Sequence, residues 1–251
     1  MSVPGATSLT APTVVTWRNI PYVIYAGLDN RINYAYPTDT RRMTGWAHGL
    51  FPDTTPVPIA ATEINDGQLL LAYTGFSNTV YTLVIHPGGG WYQRTTVLGS
   101  EGATSYAPAL ATLRQVSGDY RTAMLAMRVT SGQVGVSYIK IDNNSVVTNQ
   151  WWYIPNSRNF GTGFNILGAP TLMARGDELR LGGRELGSKL VYLGGTVSQT
   201  PGTAFTSWGD WTWQPGFPDQ WNMKVDPRFA LIHGQLRALY ADNMIFTANI
   251  I

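Results

Sequence analysis

The sequence predicts an all-β fold, a five-bladed β-propeller with four-stranded antiparallel blades, on three observations. Five segments open with a proline and continue into a short, mostly apolar stretch: Pro12-Thr13-Val14-Val15, Pro58-Ile59-Ala60-Ala61, Pro108-Ala109-Leu110-Ala111, Pro170-Thr171-Leu172-Met173 and Pro227-Arg228-Phe229-Ala230. Behind each come two further strand-like stretches joined by a polar turn, and the first four units run on to a tryptophan-bearing segment. The last unit stops at Ile251 after its third strand, so residues 3–10 are expected to close it as the missing fourth strand.

The second strands are Tyr22-Val23-Ile24-Tyr25, Leu69-Leu70-Leu71-Ala72-Tyr73, Thr122 to Met127, Leu179-Arg180-Leu181-Gly182 and Leu236 to Tyr240. The turns that follow are Gly27-Leu28-Asp29-Asn30, Gly75-Phe76-Ser77-Asn78, Thr130-Ser131-Gly132-Gln133, Glu185-Leu186-Gly187-Ser188 and Ala241-Asp242-Asn243. Gly, Asn, Asp and Ser between β-rich stretches are hairpin chemistry. Third strands begin near Ile32, Val80, Val134, Leu190 and Met244. Trp46, Trp91, the pair Trp151-Trp152, and the cluster Trp208, Trp211 and Trp213 mark the fourth.

The repeats therefore span about 12–57, 58–107, 108–169, 170–226, and 227–251 together with 1–11, all within one domain covering 1–251. Such units cannot bury both faces alone, and radial stacking covers them while leaving only short edges. Uneven repeat lengths are read as loop insertions, residues 140–150 among them. A β-sandwich and a β-trefoil are the rival folds; the trefoil requires threefold periodicity. No segment keeps a 3.6-residue apolar stripe for three turns, so helices are not expected.

Composition narrows the function. The 251 residues include 17 Lys and Arg against 15 Asp and Glu, for a net charge of +2, and no cysteine. Disulfide scaffolds, cysteine-ligated metals and cysteine nucleophiles are excluded. With Arg41 and Arg42 as the only tight basic cluster, no nucleic-acid partner is expected, and the charge balance suits a neutral polar partner. No apolar run is long enough to cross a bilayer. The first residues lack a secretion signal, so the expected location is cytoplasmic, or outside by a non-classical route.

Two layers of residues are candidates for ligand contact. The first is aromatic: Trp46, Trp91, Trp152 and Trp211 could pack blades together or present indole faces to the apolar side of a sugar ring. Trp151 and Trp152 are adjacent on a strand and must face opposite ways. The second layer is the polar turns: Asp29, Asn30, Asn78, Arg184, Glu185, Asp242 and Asn243. Asp and Asn there also suit plain turn capping, whereas Arg184 and Glu185 are not turn residues by preference.

Catalytic chemistry has thinner support. Glycoside hydrolysis needs two facing carboxylates, and most acidic residues lie in turns, with Asp226 before a first strand as the exception. His48, His86 and His233 occupy unrelated repeat positions, which gives neither a metal trio nor a catalytic triad. Gly88-Gly89-Gly90 lacks the Lys-Ser or Lys-Thr of a phosphate loop and reads as a hairpin loop. No cofactor is expected.

Units such as Leu69–Val84 with the following Trp91 resemble those of small propeller lectins, the five-bladed tachylectin type in architecture. The resemblance covers the whole chain. It implies one sugar site per blade, often for an N-acetylated hexosamine, and crosslinking of glycans. The expectation is a multivalent, non-enzymatic lectin that binds neutral glycans or glycoproteins through shallow interblade or loop pockets. A protein-binding or toxin-associated propeller scaffold is the alternative, followed by a glycoside hydrolase.

Overall fold

The computed structural model describes residues 3–64, 67–88, 90, 94–97, 106–113, 121–142, 145–153, 166–175, 178–185, 190–196, 207–208, 212–213, 226–232, 235–241 and 245–249. For 121, 142, 145–153, 207–208, 212–213, 231–232, 236, 240–241 and 245–249 the description is of the backbone.

Each first strand starts directly after its proline or one residue later. The first sheet is β1 (Thr13–Trp17), β2 (Ile20–Ala26), β3 (Arg31–Asp39) and β4 (Thr44–Thr54), in that spatial order. The second is β5 (Ala60–Ile64), β6 (Gln68–Thr74), β7 (Val80–Ile85) and the short β8 (Thr95–Thr96). The third is β9 (Ala109–Thr112), β10 (Arg121–Arg128), β11 (Val134–Asp142) and β12 (Ser145–Tyr153). In the fourth, β13 (Thr171–Arg175), β14 (Glu178–Arg184) and β15 (Leu190–Thr196) carry a divided outer strand, β16 (Ser207–Trp208) and β17 (Thr212–Trp213), both paired with β15. The last holds β18 (Arg228–Ile232), β19 (Gln235–Ala241) and β20 (Ile245–Asn249). All pairings are antiparallel.

First strands lie side by side in succession, β1 against β5, β5 against β9, β9 against β13 and β13 against β18. Five sheets arranged in this way make a propeller-like architecture. Threonines tie the inner strands: Thr13 donates to the Ile59 carbonyl, the Thr62 and Thr112 hydroxyls meet at 2.6 Å, and Phe229 N–H donates to Thr171 at 2.9 Å.

Apolar faces of neighbouring sheets form the core. Val15, Trp17, Ile24, Ile32 and Phe51 of the first sheet pack on Ile59, Leu69, Leu71, Tyr73, Leu83 and Ile85 of the second. Leu70, Ala72 and Val84 turn the other way onto Leu125, Met127 and Ile139. Strand β6 is buried at every residue because a sheet covers each side. That double cover explains its unbroken apolar run, where a half-exposed strand would alternate.

The second-to-third-strand hairpins repeat one geometry. Gly27, Gly75 and Val129 donate N–H to the carbonyls of Arg31, Thr79 and Gln133, while Asn30, Asn78 and Gly132 donate back to Gly27, Gly75 and Val129. The latter three hold φ of 62°, 58° and 89°. Only Gly, and Asn after it, enters this left-handed region at small cost.

Linkers between sheets are held from both sides. Thr55 N–H donates to Asn30 O of the preceding turn, and its hydroxyl donates to Thr74 O at the end of β6. Ile166 N–H donates to Gly132 O, and Leu167 N–H donates to Arg184 O.

Two expectations are corrected. Residues 3–10 form no strand, and the last sheet has three strands among the described residues. A turn at Gly5, with φ of 75° and Ala6 N–H on Val3 O, breaks the extended run, and Leu9 N–H bonds Ala26 of the first sheet. Residues 140–150, expected as an inserted loop, are largely the paired ends of β11 and β12, with a register shift at Lys140. Among the described residues, no helix is long and apolar enough to cross a membrane.

Candidate functional site

The β1–β2 connection is two residues long, and both Arg18 and Asn19 have positive φ, 53° and 63°. A mirror-image turn of this kind follows the natural twist of a hairpin. It carries the chain toward the second sheet. Arg18 N–H donates to Glu63 Oε2 at 3.2 Å, and its Nη1 donates to Pro87 O at 2.8 Å. Beside it, Trp17 Nε1 donates to Gly67 O at 2.6 Å.

Between these ties opens a cleft of about 480 Å³. Trp17, Arg18, Tyr22, Tyr34, Tyr36 and Phe51 of the first sheet line one side, and Ile85, Pro87 and Gly88 of the second line the other. Strand alternation explains the aromatic wall. Ile24 pairs with Tyr34 and Val23 with Ala35, so one step further along the ladder Tyr22 stands beside Tyr36. Their rings stack with centroids 4.9 Å apart, Trp17 packs on Tyr22 at 5.0 Å, and Tyr34 meets Phe51 at 4.6 Å. Tyr34 faces Gly49 across β3–β4, and its ring occupies the space where a Cβ on that glycine would stand.

Burial raises the Tyr22 hydroxyl above the ordinary tyrosine range, helped by Tyr36 and Tyr34, with Arg18 opposing. The wall therefore offers the protonated Tyr22 hydroxyl, able to donate or accept, set among ring faces. No Asp or Glu is among the lining residues described. Nor does any group of three or more His, Cys, Asp or Glu suited to a metal ion occur among the described residues.

Corresponding positions in the next two sheets are mostly aliphatic, with Thr82 and Tyr138 as the exceptions. Where the first sheet has Trp17, Tyr22, Tyr34 and Tyr36, the second has Ile64, Leu70, Thr82 and Val84, and the third has Leu113, Met124, Val136 and Tyr138. The hairpins align through Asn30, Asn78 and Gly132, which sets this correspondence. Aliphatic packing fills those interfaces.

None of the residues expected at a site is among the described lining residues of this cleft. Trp46 is half-buried on β4 opposite Pro37, on the other face of the sheet from Tyr36. Asp29 Oδ1 accepts Arg31 N–H at 3.1 Å, and Asn30 and Asn78 hold the left-handed turn positions. Trp152 pairs with Val136, its side chain lying beyond the described set. Trp91, Trp211, Asp242 and Asn243 lie outside the described residues.

Arg184 sits 3.5 Å from Asp226 Oδ1, while Asp226 Oδ2 accepts Ala169 N–H at 2.9 Å. Gly168 gives the Asp226 carboxylate its room, since a Cβ there would overlap it. Arg184 thus reaches from the end of β14 to the next linker. Arg128 does the same from the end of β10, with Nε donating to Ile166 O at 2.6 Å, and so does Thr74 from β6, bonding Tyr106 O at 3.0 Å. Glu185 follows Arg184 as a half-buried residue.

Sequence reasoning placed Tyr22, Tyr34 and Tyr36 on strands without assigning them to a site. The available signal was two tyrosines spaced i, i+2 on one strand, which share a face, with a third on its neighbour.

No family model and no curated protein matches the chain. Solved structures do. A three-site mutant of AofleA from Arthrobotrys oligospora superposes with a TM-score of 0.68 at 11% identity, covering 99% of this chain and 71% of that one. BP39L lectin from Burkholderia pseudomallei gives 0.64 at 11%, covering 100% and 70%. A single-site mutant of Aleuria aurantia lectin, in complex with alpha-methyl-L-fucoside, gives 0.60 at 12%, covering 97% and 74%. At these identities the likeness is one of fold.

Proposed function

We propose that the chain is a carbohydrate-binding protein, a lectin in function, that seats a saccharide in the cleft between its first and second sheets and does no chemistry on it. The observation that carries this reading is the wall of Trp17, Tyr22, Tyr34 and Tyr36. A sugar ring has C–H patches that lie against aromatic faces and hydroxyls that need hydrogen-bond partners, and the wall supplies both. The lectins among the similar folds add support.

Hydrolysis is disfavoured by the lining. A glycosidase flanks the scissile bond with two carboxylates roughly 5–9 Å apart, and the described cleft has none on its walls. Crosslinking of glycans needs further sites. Trp152 with Arg184 and Glu185 is the second site we propose, at the third and fourth repeats.

A glycan array probed with the wild-type chain and with Tyr36→Ala tests the reading. Binding that Tyr36→Ala abolishes supports it. Absence of binding across the array, or turnover of chromogenic glycosides, overturns it.

One observation favours a protein-binding scaffold as second reading. Leu28 and Phe76 take the same position in consecutive hairpin turns and are 66% and 65% exposed. A pull-down insensitive to free sugar and lost in Leu28→Ser/Phe76→Ser distinguishes the two.

A further inference from the structure

The end of the first sheet from which Arg18 enters the cleft carries charge that the whole-chain balance conceals. Counted back along the β2–β3 register, Ile20 stands level with Thr38, whereas the β3–β4 hairpin continues to the Asp39–Thr44 pair and a turn beyond it. That turn overhangs the same end of the first sheet from which Arg18 projects.

At the turn Arg41 and Arg42 are exposed. Their backbone N–H groups both donate to Asp39 Oδ1, at 3.1 Å each, so the nearest carboxylate serves the backbone. Neither guanidinium belongs to any of the ion pairs found among the described residues. Arg18 joins them as a wall residue of the cleft, with one N–H on Pro87 O and others of its five donors remaining. Two adjacent like charges repel, and a bound anion relieves that repulsion. Tyr36 is three residues from Asp39, about 10 Å along the strand.

We propose that this cleft takes an acidic glycan: a saccharide ring lies on Tyr22 and Tyr36, and its sulfate or carboxylate is held by Arg41 and Arg42. The planar guanidinium fork matches both anions in bidentate geometry. The inference rests on the carbohydrate reading above and narrows it, because a net charge of +2 describes the whole surface and not this rim.

Calorimetric titration of the full chain with two ligand pairs tests it: lactose against lactose 3′-sulfate, and cellobiose against cellobiouronic acid. The anionic member of at least one pair binds roughly tenfold or more tightly than its neutral partner, in keeping with charge-assisted bonds, and the pair showing the gap identifies the anion. Arg41→Gln/Arg42→Gln, on an exposed turn, closes the gap by weakening the anionic member; Tyr36→Ala weakens both members.

Equal binding within both pairs, unaffected by the arginine changes, overturns the anion assignment and leaves the carbohydrate reading standing. Anionic binding that Tyr36→Ala leaves as tight as in the wild-type chain overturns the placement in the cleft, as does tighter binding of a single-stranded oligonucleotide. Failure of all four sugars together with a blank glycan array overturns the carbohydrate reading itself.

Discussion

Trp17 donates its indole N–H to the Gly67 carbonyl 2.6 Å away, joining the end of β1 to the β5–β6 turn of the adjacent sheet. The bond fixes the indole at the inner end of the cleft and ties two sheets at one point. Trp17→Phe keeps a ring but leaves that carbonyl without its donor. We expect a stability loss of about 1–2 kcal/mol, read from the midpoint of urea unfolding, together with weaker sugar binding.

Gly49 is the neighbour over which the Tyr34 ring lies, in space a Cβ would need. Gly49→Ala displaces the ring. Overpacking of this kind costs about 1–3 kcal/mol, and titration with a bound glycan should show affinity falling with it. Gly90→Ala is the control, since its Cβ meets nothing within 4 Å; it should leave both measurements unchanged.

Asp53 on β4 accepts from the Tyr73 hydroxyl and pairs with Arg94 Nη1 at 2.9 Å. Arg94 in turn lies over the Tyr81 ring at 4.4 Å. Asp53→Ala leaves the hydroxyl of a fully buried tyrosine without an acceptor, a cost of about 1–3 kcal/mol, whereas Asp53→Asn retains an acceptor and should lose less. Half-exposed Arg94 adds little to either difference. Unfolding midpoints for the two variants give the comparison.

Alkaline pH should weaken the fold. Burial raises Tyr22, Tyr25, Tyr73 and Tyr192 above the ordinary 10.0. For Tyr73 the Asp53 hydrogen bond adds to burial. Below pH 10 these tyrosines are neutral in both folded and unfolded chains, so stability is unaffected. Above it the unfolded chain releases protons that the folded chain retains, and stability declines as pH climbs toward the raised values. The part of the tyrosinate absorbance that these four residues contribute, recorded alongside circular dichroism, should rise late and together with unfolding. A full rise in absorbance while the fold persists contradicts this.

How much could be read beforehand depended on whether a feature was local. Prolines before first strands and the Gly/Asn pairs at Gly27–Asn30 and Gly75–Asn78 act within a few residues, so the strand order and the hairpins were legible. The closing strand was not, because a turn at Gly5 competes with extension and no sequence pattern weighs the two. Asn30 and Asn78 hold turn geometry, which residue preference alone already suggested. The ion pair of Arg184 with Asp226 was not legible, because the two are 42 positions apart in the chain. The cleft was missed for a related reason: Tyr22 and Tyr36 become neighbours only once β2 and β3 are in register, and Ile85 and Pro87 come from another sheet.

The linkers stitched to two sheets at once have a consequence for where the polypeptide tolerates being broken. Opening the backbone at a hairpin apex, between Leu28 and Asp29 or between Phe76 and Ser77, severs no tie from one sheet to the next, and circularly permuted versions with new ends there should assemble. New ends placed between Thr55 and Val57 release two neighbours simultaneously, and such permutants should fail to assemble.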